Sequence, residues 1–263
     1  MGATWYDSFF CSPEDSMSRY AHRPSTLQYS FGPGPITPAV KWLIIANVVM
    51  FAVRLAYSPI TTYLGLVPQL VVEHQWIWQL VTYLFIHDGP LHILFNMLGI
   101  WMFGVELEHR WGTKQFLRYY AITGVGAGLT VLLVSLLPLD SAWIAATYRH
   151  STIGASGALY GLLVAFAFYY PDRPLLMFFL FPVPAKYFVM IVGAMAFLSA
   201  PNSGVSESAH LGGLVIGYLY LRGGGGGLTA EIKYRYLKWK MNRLRRKFDV
   251  YSGGRSDWDR HVH

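Results

Sequence analysis

Six stretches of this chain, 15 to 21 residues long, are apolar and nearly free of charge: 38–57, 89–106, 118–138, 154–170, 185–202 and 208–222. A helix crossing a hydrocarbon core of about 30 Å needs roughly 20 apolar residues, because lipid offers no partner for an open backbone hydrogen bond. Only 13% of the 263 residues are charged, where a soluble domain carries about 25%. The expectation is an all-α integral membrane protein: a six-transmembrane helical bundle with an outer-leaflet loop between the first and second spans. Pro171, Pro174, Pro182, Pro184 and Pro201 punctuate the second half, as they do where helices stop. The apolar piece from Leu175 to Phe181 is too short to span and reads as interfacial or re-entrant.

Charge distributes along the chain in a way that orients it. Arg110, Lys114 and Arg118 follow the second span, Arg173 and Lys186 bracket the fourth-to-fifth connection, and a dense basic tail follows the sixth. The opposite connections, 58–88, 139–153 and 203–207, hold Arg149 as their only lysine or arginine. The positive-inside rule then puts both termini in the cytoplasm, with a bacterial inner (plasma) membrane as the expected location. Arg54, near the outer end of the first span, breaks the pattern and is expected to snorkel to an interface. Three regions result: a cytoplasmic N-terminal segment at 1–37, a six-span unit at 38–222, and a glycine hinge with a basic amphipathic tail at 223–263. The net charge of +7 concentrates in that tail, which suits an anionic inner leaflet and not nucleic acid. The loop 58–87 carries Tyr63, Trp76, Trp78, Tyr83 and Phe85, amphipathic rings that favour the membrane interface. Cys11 is the single cysteine, so no intramolecular disulfide forms. The first forty residues show no basic n-region followed by a cleavage site, and no secretory signal is expected.

Polar residues stand out at the outer ends of three spans: His87, His92 and Asn96 on the second, Ser156 on the fourth and His210 on the sixth. A hydroxyl without a partner in an apolar medium costs about 2–7 kcal/mol, so such groups have partners or a task. His92 and Asn96 are four apart and share a helix face, as do Ser156 and Tyr160. Gly157-x-x-x-Gly161 and Gly213-x-x-x-Gly217 each follow a reactive residue and form small-xxx-small faces. Close packing of those faces would bring Ser156 and His210 into hydrogen-bond reach, with His210 as general base and then acid. Asn96, His92 and the Ser156 backbone N–H are the available donors for a developing oxyanion. No acid near His210 stands out as a third member, because Glu207 lies three residues earlier and nearer the water. The economical reading is a two-residue dyad.

These pieces resemble the rhomboid family of intramembrane serine proteases. The resemblance rests on His87-x4-His92-x3-Asn96, Glu108-His109-Arg110-Trp111-Gly112, Gly154-Ala155-Ser156-Gly157 with Tyr160-Gly161, and Ala209-His210 with Gly213 and Gly217. It covers about residues 40–222. It implies a serine endopeptidase that cuts transmembrane or juxtamembrane segments, with Ser156 as nucleophile, His210 as base, and His92 with Asn96 in the oxyanion site. It also implies that Tyr160 stacks on His210, that Glu108 and Arg110 are structural, and that substrates enter between the second and fifth spans. Gly154 belongs to the serine motif, and His87 reads as a structural or water-facing residue beside the site. Many relatives carry Trp-Arg in the first outer loop, where this chain has Trp78-Gln79, so the anchoring of that loop differs.

Blander readings sit beside these. Ser156 alone is by default a helix-packing serine, and Tyr160 is open to ordinary core packing. A catalytically silent relative that binds client transmembrane helices is the alternative function. The partners in either case are transmembrane protein substrates and the lipid bilayer, and the oligomeric state is left open. No cofactor and no metal is expected, since no His-Glu-x-x-His spacing accompanies the histidines.

Overall fold

The computed structural model describes residues 33–177, 180–203 and 206–223, with positions 239, 240 and 243 of the tail. The segment 1–32 and nearly all of the expected amphipathic tail lie outside the described residues. Ten α-helices are described: α1 (Pro38–Ala56), α2 (Ile60–Leu64), α3 (Pro68–His74), α4 (Gln79–Thr82), α5 (Pro90–Trp111), α6 (Thr113–Ser135), α7 (Ala142–Arg149), α8 (Ser156–Tyr169), α9 (Ala185–Ser203) and α10 (Ser206–Arg222). The protein is thus mostly helical, and a helix stands at each of the six expected stretches. Three of them, α1, α5 and α6, are long and apolar enough to cross a membrane.

The helix ends follow local chemistry. Pro38, Pro68 and Pro90 open α1, α3 and α5, where a missing N–H is harmless and the fixed φ suits the first turn. The second stretch was expected to stop at 106, but α5 runs on to Trp111 because its charged end is used. The Glu108 carboxylate accepts the backbone N–H groups of Ala39 at 3.0 Å and Val40 at 3.1 Å, and the Thr113 hydroxyl at 2.6 Å. It thereby caps the start of α1, where helix donors lack partners. Gly112, at φ +78°, is the single residue between α5 and α6, a backbone angle that favours glycine.

Helix α8 lies at the centre, packed against α5, α6, α9 and α10, while α1 covers the far side of α5 and α6. Its Ala158, Leu162, Ala165 and Phe166 are buried with Ile100, Phe116, Tyr119 and Val105. Large apolar side chains instead face outward, among them Trp42 and Leu55 on α1, Leu133 on α6, and Met190, Phe197 and Leu198 on α9. Asn47, Asn96, Glu108 and Thr123 are buried. Apolar exterior with polar groups inside is the arrangement lipid selects, and the protein is an integral membrane protein.

Two connections differ from expectation. The ends of the 175–181 piece belong to two paired antiparallel strands, β1 (Pro174–Met177) and β2 (Phe181–Pro184), with Pro174 opposite Pro184. This departs from an all-α chain. The strand pair is closed at its base by Ala185 N–H to the Arg173 carbonyl at 2.9 Å, and Arg173 pairs with Glu106 at 2.8 Å. The 58–88 connection, expected as a loop at the outer leaflet, carries helical structure of its own: α2, α3, α4 and a 3-10 turn at Tyr83–Phe85. Gln79 holds it together: its fully buried amide accepts Val67 N–H at 3.0 Å and donates to the Thr62 carbonyl at 2.9 Å. Arg54, expected to snorkel, reaches into the same region and binds the Asp88 carboxylate at 2.6 Å, the Asp88 carbonyl at 2.7 Å and the Thr61 hydroxyl at 3.1 Å.

Candidate active site

Ser156 is the first residue of α8, and the segment before it is strapped to the helical connection 58–88. Thr152 and Leu66 exchange backbone hydrogen bonds at 2.8 and 2.9 Å, Gly154 N–H reaches the Tyr83 carbonyl at 2.9 Å, and Ala155 N–H reaches His87 Nε2 at 3.4 Å. The Tyr83 hydroxyl in turn donates to the Gly124 carbonyl of α6 at 2.7 Å. These bonds fix the direction in which α8 starts, and with it the Ser156 hydroxyl. His87, expected beside the site, is fully buried as one of these straps. Burial, and secondarily the neighbouring His92, pushes its imidazole down from the usual 6.5 to about 4. It is therefore neutral at physiological pH and free to accept the Ala155 N–H.

The glycine faces do what their spacing implies. A Cβ on Gly213 would collide with the Gly157 carbonyl, and one on Gly217 would lie 3.1 Å from Gly161 Cα. α8 and α10 therefore meet backbone to backbone. Across that contact His210 Nε2 lies 2.8 Å from Ser156 Oγ. One turn along α8, the Tyr160 ring stacks on the His210 imidazole at 4.3 Å between centroids with 1° between planes.

On the other side of the ring, His210 Nδ1 lies 3.0 Å from Glu207 Oε2. This corrects the expectation that no carboxylate serves His210. Glu207 occupies the first turn of α10, where an i, i+3 spacing puts both side chains on one face. Their exposures are 19% and 16%, so the pair is largely out of water. The spacing was visible in the chain; what hid the pair was the assumption that a residue before the span turns to solvent.

His92, on the first turn of α5, accepts the Asp88 N–H at Nδ1, 3.3 Å away. That bond assigns the ring proton to Nε2. Nε2 lies over Gly154, where a Cβ would come within 2.6 Å of it, and Gly154 itself sits at φ +112°. Glycine is required there twice over, for the backbone angle and for the approach of the ring. The buried Asn96 gives one amide N–H back to the His92 carbonyl at 2.8 Å, leaving the second N–H for another acceptor. The first-turn N–H groups of α8, that of Ser156 included, have no acceptor within the helix. An alcohol bonded to an imidazole, beside several N–H donors at a helix start, is equipped for acyl transfer.

Residues 74–224, more than half of the chain, match the family described as Rhomboid domain. The chain belongs to the rhomboid family. Among curated relatives it is similar to YdcA of Bacillus subtilis, named as a rhomboid (33% identical, 57% of this chain, 67% of that protein). It is similar to rhomboid-like protein 14, mitochondrial, of Arabidopsis thaliana (26% identical, 70% of this chain, 55% of that protein). It also matches rhomboid protease GluP of Bacillus subtilis (28% identical, 57% of this chain). The match spans only 26% of GluP. Several relatives are named proteases and several mitochondrial, so membership alone names neither a substrate nor a membrane.

Proposed function

We propose that this rhomboid is an intramembrane serine endopeptidase that hydrolyses peptide bonds in or next to transmembrane segments of other membrane proteins. The observation that carries the reading is the 2.8 Å contact between Ser156 Oγ and His210 Nε2, made by two helices locked through paired glycines. In the first half-reaction Ser156 Oγ bonds to the scissile carbonyl carbon and its proton passes to His210 Nε2. Negative charge on the former carbonyl oxygen is met by His92 Nε2–H, the free N–H of Asn96 and the Ser156 backbone N–H. The carbon–nitrogen bond then breaks as Nε2 returns the proton to the departing amine, leaving an ester on Ser156. Water, deprotonated by His210, cleaves that ester and restores the hydroxyl. Tyr160 keeps the ring in its plane throughout.

The proposed setting is a six-span unit at 38–222 with cytoplasmic termini in a bacterial inner membrane, flanked by the segment 1–37 and the tail 223–263. Helices α1, α5, α6, α8, α9 and α10 would be the spans, and α2 to α4 would rest in the outer leaflet. At 1.5 Å per residue, the 14 residues of α8 extend about 21 Å, against a hydrocarbon core of about 30 Å. With its far end at the inner interface, Ser156 would sit roughly 9 Å below the outer boundary, in a water-filled recess. A substrate helix must unwind there to present a carbonyl, which favours small and helix-destabilising residues around the cut.

A fluorophosphonate probe tests the reading directly. Covalent labelling of the purified wild-type protein at Ser156 is expected, with none in Ser156→Ala and at least a 100-fold slower reaction in His210→Ala. A wild type that neither labels nor cleaves membrane-embedded substrates would hand the function to the alternative, a silent rhomboid that binds client helices.

A further inference from the structure

We infer that Glu207 is a positioning residue for His210, making the site a Ser156–His210–Glu207 triad; this rests on the protease reading above. Three observations converge on it. Glu207 Oε2 lies 3.0 Å from His210 Nδ1 while Nε2 of the same ring lies 2.8 Å from Ser156 Oγ, so the carboxylate, ring and hydroxyl form one continuous chain. Both Glu207 and His210 are mostly withdrawn from water, at 19% and 16% exposure, where solvent screens their interaction weakly. Tyr160 stacks flat on the ring and resists tilting but not rotation within the plane. The Glu207 contact supplies the missing in-plane restraint.

The chemistry follows from the acceptor count. An ionised carboxylate is acceptor-only, so Nδ1 must carry the ring proton and Nε2 must offer its lone pair to Ser156. When Ser156 attacks, its proton moves to Nε2 and the ring becomes a cation with N–H groups at both nitrogens. Glu207 stays ionised, keeps accepting the Nδ1–H, and neutralises that charge until Nε2 passes its proton to the leaving amine. No proton reaches the carboxylate and no further reactant is needed. The i, i+3 placement on one rigid helix means that Glu207 and His210 move together, so the in-plane restraint does not depend on the α8–α10 contact, whereas the Tyr160 stack does.

The test uses the full-length protein in liposomes of phosphatidylethanolamine and phosphatidylglycerol, with a fluorophosphonate as probe and its maximal labelling rate and half-saturating concentration measured separately. Glu207→Ala should lower the maximal rate about 10- to 100-fold and leave the half-saturating concentration within about twofold. Glu207→Asp should recover part of the rate. Glu207→Gln, which still accepts the Nδ1–H but carries no charge, should fall between them. The 15N spectrum of the His210 ring, assigned against His210→Asn, should show the proton on Nδ1 in the wild type and Glu207→Gln, and its loss from that site in Glu207→Ala. An unchanged labelling rate in Glu207→Ala overturns the inference. If the wild type fails to label at all, the protease reading falls by that result, and the 15N spectra still decide whether Glu207 sets the ring: a tautomer unchanged in Glu207→Ala refutes it.

Discussion

His87 shows how a single residue serves the site without belonging to the chemistry. Its Nε2 accepts the Ala155 N–H at the start of α8, which only a neutral ring does, and burial holds it neutral down to about pH 4. The unfolded chain protonates it first, near 6.5, so stability is fully present above that value and lost as the pH falls from 6.5 toward 4, levelling off below. The loss is on the order of 3 kcal/mol. Thermal unfolding in detergent at pH 7 and pH 4.5 should show a smaller drop for His87→Gln than for the wild type. Equal drops would refute this account. The residue types in the motifs were readable from the chain. The strapping role of His87 was not, because it depends on a backbone N–H 68 positions away.

At the level of elements, the α8–α10 contact carries the geometry. The carbonyl of Gly157 occupies the space a Cβ on Gly213 would need, and both sides are backbone, so neither can rotate aside. Gly213→Ala must therefore part the helices, at a cost of about 1–3 kcal/mol, and stretch the 2.8 Å contact between Ser156 and His210. Fluorophosphonate labelling should fall more than tenfold while the protein still inserts. Gly89→Ala, where the added carbon meets open space, should label as the wild type does. The paired glycine spacing announced this packing in advance. The strand pair β1 and β2 was not announced, since a short apolar piece among prolines has no period to read. The helices of the 58–88 connection were likewise missed: their anchor, Gln79, is a polar residue whose acceptors and donors lie 12 to 17 positions earlier.

Across the whole molecule, the alternation of basic residues makes an orientation prediction. Cysteines introduced at Leu139 and at Lys114 in a Cys11→Ser background should react with a membrane-impermeant maleimide from opposite sides, Leu139 from outside intact cells and Lys114 only after lysis. Labelling of Lys114→Cys in intact cells would invert the proposed topology. Membrane residence, the six apolar stretches and the serine and histidine that the fold brings within 2.8 Å of each other were all legible in the linear order of residues, because hydrophobic length and short motifs are local properties. The straps that aim Ser156, the turn of Glu207 toward His210 and the hydrogen bonds by which Gln79 anchors its connection came only from the folded chain. Each is a hydrogen bond whose partner, or whose burial, is set by how distant helices pack.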